Sequence, residues 1–194
     1  MNGIASLCAF CGSRLGADPL HAEQAARLGT LMAENGIRLV YGGGGVGLMG
    51  ILADAVLKAG GYVIGVIPAF LQSLEVGKSG LSELIVVDSM HERKRRMFDL
   101  SDGFVVLPGG LGTLDETLEI LTWRQLRLHD KPVIVVDIDG YWSMLDALIN
   151  GVIEGGFADP YARRLFVRVG RVEEVLPALA REHLPDIGPR SDRI

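Results

Sequence analysis

The sequence predicts an α/β fold in one domain, a doubly wound parallel sheet flanked by helices. Three observations carry this. Short β-rich apolar runs alternate with segments of helical period. Each run is closed by glycine, proline or an aspartate/asparagine turn. Several runs, notably Phe104-Val105-Val106-Leu107 and Val133-Ile134-Val135-Val136, are continuously apolar, as strands covered by helices on both faces must be.

In chain order, the strand Ile4–Phe10 leads to a helix over Pro19–Asn35, and the strand Ile37–Tyr41 runs through a glycine-rich loop into a helix over Leu48–Ala59. The strand Tyr62–Ile67 is closed by Pro68, and Leu84–Val87 is closed by Asp88 before a helix over Met90–Leu100. Gly103–Leu107 meets Pro108 and a second glycine loop, then a helix over Thr113–Leu128. Val133–Asp137 precedes helices over Tyr141–Glu154 and Pro160–Phe166, and a short strand Val167–Val169 precedes a last helix over Val172–His183. Residues 1–183 therefore make the domain, and 184–194 form an aperiodic tail expected to fray. Right-handed crossovers bring every strand-to-helix loop to the carboxyl edge of the sheet, so function is sought there.

Composition narrows the partners. At 48% hydrophobic and 22% charged, the 194 residues can bury a sizeable core. Nineteen basic against 24 acidic residues leave −5, which gives no overall cationic field for nucleic acid or an anionic membrane. No apolar run approaches the roughly 20 residues of a membrane span, and the run Ile4–Phe10 has no basic residue before it, so a cytoplasmic protein is expected. Cys8-x-x-Cys11 straddles the end of the first strand without the usual helix start and reads as inert, and no second pair exists for zinc. His21, His91, His129 and His183 share no ligand spacing, so no metal is expected.

Glycine is the unusual component. The cluster from Gly42 to Gly50 satisfies G-x-G-x-x-G spacing twice, from Gly42 and from Gly45, between a strand and a helix. Gly43, Gly44 and Gly45 would let a phosphate approach N–H groups at the positive end of that helix; the alternative is a tight turn with close helix–sheet packing. A nicotinamide site also needs an acidic residue about 20 positions on, and that strand ends Gly65-Val66-Ile67-Pro68 instead. No lysine with Ser/Thr follows the last glycine, so a Walker loop is excluded too.

The second cluster, Pro108-Gly109-Gly110-Leu111-Gly112-Thr113-Leu114-Asp115-Glu116, again leaves a strand and enters a helix. It has two readings. Thr113-x-x-Glu116 is a capping box by spacing, yet the loop holds more glycine than a cap demands. Asp115, Glu116 and Glu119 place carboxylates beside this anion site, a mixture suited to a ligand with both phosphate and sugar. In the basic segment Ser89–Met97, Met90, Arg93, Lys94 and Met97 share one helical face, which turns a cation inward; a solvated basic face or a nucleic-acid patch are the alternatives.

Taken together, Pro108–Glu116 (the PGGxGTxxE pattern), Met90-His91-Glu92-Arg93-Lys94 and the upstream Gly42–Met49 loop resemble the LOG family, the cytokinin riboside 5′-monophosphate phosphoribohydrolases. The resemblance runs from Cys11-Gly12-Ser13 through at least Trp123. It implies a modified Rossmann fold, a homodimer, and hydrolysis of a nucleoside 5′-monophosphate to free base and ribose 5-phosphate. It places the catalytic pair on Arg93 and Glu116. Substrate contacts fall on Lys94, on Gly110, Leu111, Gly112 and Thr113, and on the flanking Glu75 and Thr122. Met90, Gly109, Leu114 and Asp115 complete the set within the same motifs. The resemblance implies no cofactor. An older label for the pattern, lysine decarboxylase, would require pyridoxal phosphate on a Schiff-base lysine; of Lys58, Lys78, Lys94 and Lys131 none has a recognisable cofactor context. A non-catalytic nucleotide carrier using the same loops is the principal rival reading. The helix over Thr113–Leu128 carries Leu114, Leu118, Ile120, Leu121, Trp123 and Leu126 around more than one face, which also points to a dimer.

Overall fold

The structure, a computed structural model, describes residues 3–72 and 78–181. Its centre is a seven-stranded sheet, all neighbours parallel, in the order β4-β3-β2-β1-β5-β6-β7. The strands are β1 (Ser6–Phe10), β2 (Arg38–Tyr41), β3 (Val63–Pro68), β4 (Glu83–Val87), β5 (Gly103–Val106), β6 (Val133–Val136) and β7 (Val167–Val169). The helices are α1 (Pro19–Glu34), α2 (Gly47–Lys58), α3 (Ala69–Gln72), α4 (Met90–Asp99), α5 (Leu111–Gln125), α6 (Ser143–Glu154) and α7 (Val175–Arg181).

Strand alternation divides the core in two. Leu7 and Ala9 of β1, with Ile134 and Val136 of β6, face residues of α1, α2 and α7 such as Leu28, Leu52 and Val175. Cys8 and Phe10, with Val133 and Val135, face α4, α5 and α6 through Met97, Ile120 and Leu145. Both faces are covered, which is why the strands read as unbroken apolar runs. The chain builds outward from β1 to β4, then returns to place β5 against the other side of β1. The helices after β1 and β5 leave to opposite faces, so a crevice opens between the carboxyl ends of these two strands.

All seven expected strands are present within two residues of their expected ends. The helices differ more. α5 starts at Leu111 with Gly110 as its N-cap, two residues before the threonine expected to begin it. The helix expected over Pro160–Phe166 is a 3₁₀ segment, Pro160–Arg164, and that expected over Val172–His183 is a 3₁₀ turn, Val172–Glu174, continued by α7. The segment from Val136 to α6 holds another 3₁₀ turn, Ile138–Gly140. The four-residue α3 is too short to leave a period in the sequence. Glu75, His183 and the tail 184–194 lie outside the described residues. Among the described residues, no helix is long and apolar enough to cross a membrane.

Beyond α5, the chain turns through Arg127 (φ 57°) and packs His129 edge-on against Phe98, with ring centroids 5.1 Å apart. His129 Nε2 lies 2.9 Å from the Ile120 carbonyl oxygen, and Nδ1 accepts the Lys131 N–H at 3.1 Å. The ring is therefore neutral with its proton on Nε2. Burial lowers its pKa below the usual 6.5, and the nearby Arg124 and Lys131 act in the same sense. A depressed folded-state pKa contributes stability that is fully present above 6.5 and is lost as pH falls through the folded value. Thermal denaturation between pH 7.5 and 5 should show a falling Tm, with a smaller fall in His129→Gln.

Candidate active site

A cleft of about 670 Å³ occupies the crevice at the carboxyl ends of β1 and β5, within the range of small-molecule sites. Its two walls are the β1–α1 loop and the β5–α5 loop, bonded to each other by the Gly12 N–H donating to the Pro108 carbonyl at 3.0 Å. Arg93 and Glu116 meet in it.

Arg93 comes from α4, whose start is fixed by a cap: Ser89 Oγ accepts the Glu92 N–H at 3.1 Å, and the Glu92 carboxylate accepts the Asp88 N–H at 3.0 Å. One turn into this helix the guanidinium is carried beneath the sheet edge. Its Nε donates to the Val66 carbonyl at 3.1 Å, and its Nη1 lies 3.1 Å from Glu116 Oε1. The two side chains are only 10% and 11% exposed, so the pair is nearly desolvated. Gly42 makes the room. A Cβ there would lie 2.0 Å from Arg93 Nη2.

Glu116 is thus engaged with Arg93, and the capping-box reading does not hold. Thr113 is the third residue of α5, its Oγ1 packed against Gly109 where a Cβ would lie 2.1 Å away, and no side chain caps this helix. The N–H groups of Leu111, Gly112 and Thr113 have no protein acceptor among the described residues. They are the positive end of a 15-residue helix opening on the cleft. Nothing lies within 4 Å of where a Cβ of Gly110 or Gly112 would stand, leaving room for a ligand.

The first glycine loop has the opposite character. The N–H groups of Leu48 and Met49 already donate to the Gly12 carbonyl, at 3.0 and 3.3 Å. Gly47 has φ +63°, and a Cβ on it would stand 2.2 Å from the Ser13 carbonyl carbon. The start of α2 is therefore docked on the β1–α1 loop. Gly43, Gly44 and Gly45 are not among the described residues that line the cleft, whereas Leu48 and Met49 are. At Gly47 the close-packing alternative holds.

Of the other expected contacts, Met90, Gly109, Gly110, Leu111, Gly112 and Thr113 line the cleft, whereas Leu114, Asp115 and Thr122 do not. Lys94 does not either. It pairs with Asp115 at 3.3 Å and Glu119 at 3.0 Å, tying α4 to α5 just outside the Arg93–Glu116 contact. Burial alone would lower its ammonium pKa, but hydrogen bonds to Glu119 and Asp115 outweigh it and raise the group above its usual range. Glu75 lies outside the described residues.

Several cleft residues had no motif to announce them, among them Arg14 of the β1–α1 loop, His21 of α1, and Tyr141. Their only sequence signal is that each follows a strand at the carboxyl edge. Arg14 is exposed and has no ion pair among the described residues, which leaves a cation in the same cleft as the open end of α5. Cys11 lies on the cleft floor and Cys8 beneath it. Burial, then the Glu116 carboxylate, raises both thiols well above their usual range, so neither supplies a thiolate. Among the described residues, no three His, Cys, Asp or Glu side chains gather where a metal ion could be held.

Comparison with known proteins gives this cleft a family. A family model described as "Possible lysine decarboxylase" matches residues 49–179. The chain is 41% identical over 188 residues to the cytokinin riboside 5′-monophosphate phosphoribohydrolase LOG1 of Arabidopsis thaliana, covering 97% of this chain and 86% of that protein. It is 45% identical over 179 residues to a probable cytokinin riboside 5′-monophosphate phosphoribohydrolase, LOGL5, of Oryza sativa subsp. japonica, covering 92% and 72%. Among solved structures, the molybdenum cofactor binding protein of Rippkaea orientalis superposes with a TM-score of 0.68 at 22% identity, covering 93% of this chain and 98% of that one, a likeness of fold. Identity at this level over nearly the whole chain, with the Arg93 and Glu116 motifs brought together in one cleft, makes the chain a member of the LOG family of cytokinin riboside 5′-monophosphate phosphoribohydrolases.

Proposed function

We propose that the protein hydrolyses the N-glycosidic bond of a purine nucleoside 5′-monophosphate, AMP or an N6-prenylated AMP, to free base and ribose 5-phosphate. The observation that carries this reading is the buried Arg93–Glu116 pair, 3.1 Å apart, in the same cleft as the uncapped start of α5. The three open N–H groups and Arg14 take the 5′-phosphate dianion, and this anchors the ribose beside Glu116. Breaking C1′–N9 sends the bonding pair to the base and leaves an oxocarbenium-like ribose. The Glu116 carboxylate stabilises that charge and orients the water whose oxygen bonds to C1′ and whose proton passes to the departing base. Arg93 holds the carboxylate in place, since its own position is fixed by Val66 and Gly42. Leu48, Met49, Leu71 and Met90 give the cleft an apolar portion suited to a purine face.

Lysine decarboxylation fits the residues poorly. None of the four lysines lines the cleft: Lys94 is held by Asp115 and Glu119, Lys78 by Asp54, and Lys131 by the Phe98 carbonyl, while Lys58 ends α2. A Schiff base needs an unprotonated, accessible amine.

The protein acts as a cytoplasmic homodimer in this reading, without nucleic-acid or membrane partners. Leu118 and Leu126 are exposed on α5 at 37% and 48%, an outward apolar surface that Ile120 and Leu121 on the buried side do not share. Sedimentation at micromolar concentration should give twice the monomer mass, and a monomer would refute the assembly.

Incubation with AMP should release adenine, and adenosine should be a far poorer substrate because the phosphate supplies most of the binding energy. Binding of AMP without base release would instead identify a carrier. Glu116→Gln should lower turnover at least about a hundredfold, about 2.7 kcal/mol of transition-state stabilisation. It keeps a carbonyl acceptor for Arg93, so its stability loss should stay near 1–3 kcal/mol by chemical denaturation. Arg93→Ala should be similarly inactive, and the double variant should be no worse than about the poorer single one, because the pair acts as a unit.

A further inference from the structure

Tyr141 reaches the cleft from the connection between β6 and α6. That connection is built to deliver it. Asp139 has φ 50° and Gly140 φ 76°, two successive residues in the left-handed region, and a non-glycine residue held there is a strained one. The Asp137 carboxylate then accepts the Trp142 N–H at 2.6 Å and closes the turn. The phenol ring packs edge-on against His21, centroids 5.4 Å apart, and against Trp142 at 5.0 Å. Its hydroxyl donates to the Gly109 carbonyl at 2.6 Å.

That carbonyl belongs to a peptide flanked by two glycines, Gly109 and Gly110, in front of which no Cβ restricts rotation. A trans peptide is planar, so the Gly110 N–H points opposite to the Gly109 oxygen. If this peptide turned over, a carbonyl oxygen would replace an N–H at the lip of the anion site. The preceding carbonyl, of Pro108, is already held by the Gly12 N–H at 3.0 Å. Tyr141 supplies the second tie. We propose that Tyr141 is a positioning residue for phosphate recognition: its hydroxyl locks the Gly109–Gly110 peptide and so keeps the N-terminal donors of α5 aimed at a sugar-phosphate dianion. This rests on the reading of the α5 terminus as the phosphate site of the reaction proposed above.

Tyr141→Phe removes the hydroxyl and keeps the ring between His21 and Trp142. In titration calorimetry with ribose 5-phosphate, the Kd should rise about tenfold, the upper range for one hydrogen bond, while adenine affinity and Tm stay at their unaltered values. With AMP, KM should rise by a similar factor and kcat should stay within about twofold, a split that general loosening of the fold would not give. Tyr161→Phe, which loses a phenol outside the cleft, should bind ribose 5-phosphate as the unaltered protein does. Unchanged ribose 5-phosphate affinity in Tyr141→Phe, equal weakening toward adenine, or no measurable ribose 5-phosphate binding by the unaltered protein would overturn the proposal. Tyr141-dependent ribose 5-phosphate binding without base release from AMP would sink the proposed reaction and leave the role of Tyr141 standing.

Discussion

A guanidinium and a carboxylate each withdrawn about nine-tenths from water are costly to bury, and such a pair holds only where geometry and further hydrogen bonds compensate. The site depends on meeting that condition at Arg93 and Glu116. The Val66 carbonyl accepts from Nε, the missing side chain of Gly42 lets the fork lie flat, and the cap on α4 sets the turn from which Arg93 projects. Just outside, Lys94 bridges Asp115 and Glu119, so the helices bearing the two partners are clamped a second time in a more solvated place. Replacing the buried pair by apolar residues would often cost no stability in a fold of this kind, which makes its presence an argument for chemistry over stability.

The same local pattern serves two ends on two neighbouring helices, α4 and α5. Ser89-x-x-Glu92 and Thr113-x-x-Glu116 have identical spacing at helix starts. The first is a cap, with both side chains spent on backbone N–H groups. The second begins three residues past the N-cap position, too far into its helix to cap anything, which frees the carboxylate for Arg93 and leaves the α5 N–H groups open. The cause is Gly110. With no side chain, it takes the N-cap position without satisfying the donors beyond it, and a helix terminus that would ordinarily be closed stays available to an anion.

Much of this was legible in the sequence. Continuous apolar runs located every strand, and the 3 and 4 spacings of Met90, Arg93 and Met97 placed a cation on the inward face of α4, where Arg93 is buried. The start of α5 was not legible, because threonine and glycine are about equally good caps and nothing local distinguishes a used cap from an unused one. Nor could spacing tell the two glycine loops apart. Close packing and ligand approach both demand a missing Cβ, and only the tertiary partners show Gly47 against Ser13 while Gly110 faces open space. Arg14, His21 and Tyr141 were invisible for a different reason: their segments meet only once β1, β5 and β6 are adjacent, and strand order is not a local property.

Strand order also explains how a chain of net charge −5 could present the proposed anion site. Beyond about 8–10 Å at physiological salt, the field of the whole molecule is screened, so a bound phosphate responds to the few donors within hydrogen-bond reach. At the carboxyl edge between β1 and β5, the proposed reading makes these a helix terminus and Arg14, while the carboxylate of Glu116 is matched by Arg93. A phosphate polymer would extend past that radius over a chain of net negative charge, whereas a mononucleotide would fit within it. In that reading the arrangement selects by size as well as by charge: one phosphate would be held at short range, and the rest of the cleft left to a sugar and a base.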